Sequence, residues 1–152
     1  MKHARIRPRI VLFVSACLIA GTAFAAEPED IIKYRQNVMK SQAAHMAAAA
    51  AIIQGKVDFK SQLGDHVKAL QATNKDVASL FPKDSDFGDT KALDAVWKNN
   101  ADFQKRSKDV REKADALAKA VAATDTKNYA ARFKDLSESC KACHKDFRKE
   151  EK

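Results

Sequence analysis

The chain has 152 residues, 45% hydrophobic and 7% aromatic, with four glycines and three prolines. That length allows one domain with a modest core, and the scarcity of turn formers excludes a turn-rich sandwich in favour of long helices. The formal charge is +8, falling to +4 without the basic head described next; because the other cations are interleaved with acids, as in KNNADFQKRSKDVREKAD, a nucleic-acid partner is excluded.

Residues 1–25 have the form of a secretory signal. Lys2, Arg5, Arg7 and Arg9 make a basic head, Ile10 to Ala20 an apolar run, and Ala23-Phe24-Ala25 a small-x-small cleavage site. The mature protein is then a single domain over 26–152. Val14-Ser15-Ala16-Cys17 offers a lipoprotein site as an alternative, but cutting there leaves Leu18, Ile19 and Ala20 directly after the lipid, so the later site has the better geometry. The apolar run is too short to span a bilayer and nothing later resembles a span. A periplasmic protein without stable membrane insertion is expected.

Four amphipathic stretches follow. The first runs from about Glu29 to Gln54, with Ile31, Arg35, Val38, Met39, Gln42, Met46, Ala49 and Ile53 recurring at helical spacing. Pro28 and the acids Glu29 and Asp30 mark its start, and Gly55 its stop. The second is expected over Asp58 to Leu80, weakened but not broken by Gly64. FPKDSDFGDT, from Phe81 to Thr90, makes the longest loop. After a short helical turn at Ala92 to Trp97, the third helix begins near Asn100 and ends near Ala123, with Thr124, Asp125 and Thr126 as candidate caps. The fourth runs from about Asn128 to Lys149. Long helices with mostly short joints imply an all-α, antiparallel up-down-up-down four-helix bundle. Ala47 to Ala51, five alanines in a row on the first helix, either permit close contact or leave space for something other than a side chain.

The last helix carries Cys140-Lys-Ala-Cys143-His144. A disulfide would leave His144 unused. A structural zinc site needs a fourth ligand, and His45 and His66 are far away in sequence. Covalent haem uses all three side chains: two thiols three apart reach the two vinyl groups of one porphyrin edge, and the adjacent imidazole turns under the ring to bind iron.

FKDLSESCKACHKDFR, Phe133 to Arg148, resembles the C-terminal helix of the class II c-type cytochromes, the family of cytochrome c-prime and its low-spin relatives. The similarity extends to YRQNVMK in the first helix and to Phe81–Phe103, and so covers nearly the whole mature chain. It implies a four-helix bundle with one covalently attached haem c, Cys140 and Cys143 as attachment sites, and His144 as the proximal ligand. Arg148, one turn beyond His144, matches a basic residue that influences the proximal imidazole. Arg35 matches the family arginine near the haem propionates, and Met39, one turn further along the same face, falls where low-spin members place their distal methionine.

With His144 and Met39 as axial ligands, the expected function is single-electron transfer between Fe(II) and Fe(III), with redox donor and acceptor proteins of the periplasm or inner membrane as partners. The alternative is a five-coordinate or readily opened cytochrome c-prime that binds nitric oxide or carbon monoxide. No acid-base constellation appears, so an enzyme is not expected. A monomer is preferred to a homodimer.

Overall fold

A computed structural model describes residues 27–150; the expected signal segment lies outside the described residues. Among these residues there are five helices and no strand. They are α1 (Pro28–Ile53), α2 (Leu63–Thr73), the four-residue α3 (Ala95–Lys98), α4 (Asn100–Ala122) and α5 (Tyr129–Phe147). The four longer ones form the antiparallel bundle. α1 packs on α2, α2 on α4, and α4 along much of α5, whereas α1 and α5 touch only sparingly. No described helix is long and apolar enough to cross a membrane.

α1 starts with Pro28 in its first turn, where a missing N–H costs nothing, and Glu29 and Asp30 oppose the helix dipole. It stops at Gly55, whose φ of +69° favours a residue without a Cβ. The second expected helix is shorter than its sequence pattern. Lys60–Gln62 form a single 3₁₀ turn before α2, and a second such turn, Ala78–Leu80, stands apart from it. Buried Asn74 accounts for the break, because its side-chain Nδ2 donates to the Leu70 carbonyl at 2.8 Å. That bond competes with helix propagation, and Thr73 Oγ1 back-bonds to the Ala69 carbonyl in the same turn.

α5 ends at Phe147 because Arg148 turns extended and pairs with Ala92 in an isolated antiparallel bridge. The Leu93 N–H donates to the Phe147 carbonyl at 3.0 Å and the Lys149 N–H to the Lys91 carbonyl at 2.8 Å, so the segment before α3 is stitched to the end of the last helix.

Buried side chains collect in two clusters. The larger joins Ile52 of α1, Val67 and Leu70 of α2, Val110 and Leu117 of α4, and Leu136 of α5. The smaller is aromatic and joins Val96, Phe103, Cys143 and Phe147, with Phe81 and Trp97 against it. Phe103 meets the Phe147 ring edge-on at 5.2 Å and the Phe81 ring at 5.0 Å, the arrangement favoured by ring quadrupoles. Leu117 is 0% exposed in the larger cluster. Leu117→Ala is expected to cost about 2–5 kcal/mol, from lost transfer energy and the cavity left behind. Chemical denaturation of the holoprotein measures it.

Candidate haem site

The inner stripe of α5 is Leu136, Cys140, Cys143 and Phe147, spaced four, three and four residues, and this spacing turns one helical face to the core. Both cysteines are free. Three residues apart on a helix, they are separated by about 4.5 Å along the axis and roughly 60° around it, so both thiols address one edge of a flat group. Cys140 packs at the rim of the larger cluster and buried Cys143 in the smaller one. Burial raises the Cys140 pKa, and burial followed by the neighbouring Cys140 pushes Cys143 up to about 11, so each is an uncharged thiol near neutral pH.

His144 lies about 100° further round the helix than Cys143 and is exposed as a residue. Protein packed around its ring, and secondarily the positive Arg148, lower its pKa. Both favour the neutral imidazole, which is the form that ligates a metal. No group of three or more His, Cys, Asp or Glu side chains gathers as a metal cluster among the described residues. Two thiols and one imidazole on a single helix do not make a zinc cage, and they fit covalent haem.

Arg35 enters from α1. Only 3% exposed, its guanidinium donates from Nη1 to Ser85 Oγ at 2.8 Å, and from Nη2 to the Ser85 carbonyl at 2.8 Å and Thr90 Oγ1 at 2.6 Å. Its Cζ stands 4.8 Å from the centre of the Phe81 ring and 5.7 Å from that of Trp97. Burial lowers its pKa, yet an arginine stays charged. Among the described residues no carboxylate pairs with it. Three of its five N–H donors are used, leaving the Nε–H and one Nη1–H for an anion. A buried cation with no protein counter-ion is the second feature that fits a haem, whose propionates carry negative charge.

Thr90 connects this arginine to the end of α5. Its hydroxyl accepts from Arg35 while its carbonyl accepts from Lys149 Nζ at 3.0 Å. The roles of Ser85 and Thr90 escape sequence reasoning, because a polar loop of this composition gives no sign of which hydroxyl will meet which helix. Trp97 donates its indole N–H to the Pro82 carbonyl at 3.0 Å and so anchors the loop. Phe147 is buried beside Cys143, whereas Phe133 lines an open groove of about 340 Å3 between the end of α1 and the start of α5.

The family described as Cytochrome C' matches residues 30–148. A cytochrome c' of Pararhodospirillum photometricum is 30% identical over 124 residues, covering 81% of this chain and 99% of the relative. The nitric oxide complex of a leucine-to-alanine mutant of cytochrome c prime from Alcaligenes xylosoxidans has a TM-score of 0.77 at 27% identity, covering 84% of this chain and 100% of that one. A carbon monoxide-bound leucine-to-glycine variant of cytochrome c prime from Alcaligenes xylosoxidans has a TM-score of 0.76 at 28% identity, covering 82% and 98%. The chain belongs to the cytochrome c' family. Its members are periplasmic carriers and not enzymes, and the cofactor is a single haem c held by two cysteine thioethers.

These matches correct one expectation. The low-spin subgroup, with Met39 opposite His144 and single-electron transfer as its work, is replaced by a family that is five-coordinate, high-spin and ligated by histidine. A thioether bound to iron would close the position that a diatomic ligand needs. Met39 is half-buried on α1, where an unbranched, adaptable side chain is a common filler. An arginine followed one turn later by methionine does not separate ligand from filler, since both uses require the same helical face.

Thr90→Val, which keeps the side-chain shape and removes the acceptor of both an Arg35 N–H and the Ala92 N–H, is expected to destabilise the holoprotein by about 1–3 kcal/mol. The shift of the denaturation midpoint at unchanged m-value reads it.

Proposed function

We propose that this protein binds nitric oxide or carbon monoxide at a haem attached through Cys140 and Cys143, with His144 as the proximal ligand. The reading is carried by the Cys140–His144 motif on α5 of a bundle whose relatives include nitric oxide and carbon monoxide complexes. A haem held in this way would supply an iron able to bind a diatomic gas, with His144 as the residue that would ligate it. The chain contributes the rest. Cys140 and Cys143 fix one porphyrin edge to the helix, His144 presents a neutral imidazole beside them, and Arg35 answers a propionate with its charge and a remaining N–H group. The clamp on Ser85 and Thr90 holds that guanidinium in place before the anion arrives.

Carbon monoxide binds only reduced haem, so this reading requires an electron donor, assigned here to a redox protein of the periplasm or inner membrane. A monomer is preferred to a homodimer.

Broad high-spin bands in the visible spectrum of the matured, reduced protein are expected to shift on addition of carbon monoxide, and Met39→Ala is expected to leave the coordination number unchanged. Sharp low-spin bands indifferent to the gas would overturn the reading. The attachment is tested separately: the Cys140→Ala, Cys143→Ala double variant should release its haem into acidified organic solvent, while the parent retains it through denaturation.

A further inference from the structure

His45 and His66, 21 residues apart in sequence, come together on the α1–α2 edge of the bundle, and their Nδ1 atoms face one another at 3.0 Å. The ring centres are 5.3 Å apart and the planes are tilted by 52°. Both residues are half-buried, so part of the pair is open to solvent. Neither ring forms an ion pair with a carboxylate, and neither Nε2 has a protein partner among the described residues. Gln42, one turn before His45, is engaged elsewhere, donating to the Thr73 carbonyl at 2.9 Å and helping to tie α1 to α2 at this level.

As a hydrogen bond the pair is asymmetric. One imidazole must be the Nδ1–H tautomer and the other must present an Nδ1 lone pair. With nothing fixing either Nε2, the donor ring can shift its proton to Nε2, and two lone pairs from two helices then face one another across 3.0 Å. With the ring centres held 5.3 Å apart and metal–nitrogen bonds of about 2.0–2.1 Å, the nitrogen–metal–nitrogen angle is roughly 110°, the tetrahedral value that zinc adopts. The two Nδ1 atoms now face each other along the line of the ring centres, so each ring must turn by roughly 30–35° and tilt to aim its lone pair at that ion, and the change of tautomer leaves the proton count of the protein unaltered.

We infer that His45 and His66 form a two-histidine chelating site for a divalent transition-metal ion of the zinc or copper kind, separate from the haem motif on α5. Imidazole is a ligand suited to both ions. The two rings supply two positions, and water fills those facing solvent.

The test uses the matured holoprotein. Zn2+ is titrated in competition with a chromophoric chelator, and the native protein is expected to take up one ion that His45→Ala and His66→Ala each weaken by roughly tenfold or more, since losing one of two ligands removes the chelate advantage. Variants that retain the native haem spectrum are compared. Electron paramagnetic resonance of the Cu2+-loaded native protein needs no variant, and two equatorial imidazole nitrogens are expected. The inference is overturned if no Zn2+ is taken up, if both single variants bind as the parent does, or if the copper signal carries fewer than two imidazole nitrogens.

Discussion

Much of this molecule's shape depends on placing one positive charge out of water. A guanidinium that is buried without a carboxylate partner is tolerable only if its N–H groups are satisfied. Arg35 meets that demand with two loop residues far along the chain, Ser85 and Thr90, and with the faces of Phe81 and Trp97. The longest loop of the chain is thereby ordered by a residue of the first helix. Because Thr90 also accepts from Lys149, the same charge is linked to the end of the last helix, where the attachment motif lies. Two of the Arg35 N–H groups are left over, and a haem propionate is the proposed partner for that charge.

α5 separates three tasks by angle alone. A helix turns about 100° per residue, so consecutive side chains cannot share an environment. Cys143 is buried among aromatic rings while His144, its immediate neighbour, is exposed. A motif of five residues can therefore bind a flat group covalently with one side of the helix and offer an imidazole from another, without any loop. A rigid element is a better platform for this than a turn, because its side chains are positioned by backbone hydrogen bonds made whether or not the cofactor is present.

The parts legible in the sequence are those with local causes. Pro28 is the first residue of α1 and Gly55 stands two past its last, and Cys140, Cys143 and His144 are legible as a candidate haem-attachment motif because they lie within five residues. What could not be read has causes distant in sequence or degenerate. The early end of α2 is decided by one amide of Asn74, a residue as much at home on a helix surface as at its end. The partners of Arg35 are 50 and 55 positions away, and the approach of His45 to His66 depends on the register of two antiparallel helices, which hydrophobic spacing does not determine. The role of Met39 was degenerate in another sense, since a filler and a ligand occupy the same face and the same rotamers.

The two clusters of buried side chains give the bundle an uneven internal architecture. The one shared by α1, α2, α4 and the middle of α5 is built from aliphatic side chains of four helices. The other, which holds Cys143 while Cys140 lies at the rim of the first, is roofed by a loop whose anchor is a charged side chain. The first has the character of a cooperative folding unit, and the second, smaller and closed by a loop, that of a region that opens more readily. Backbone amides of α2 and central α4 should accordingly set the slowest hydrogen-exchange rates of the molecule, with the loop and the last turns of α5 opening earlier.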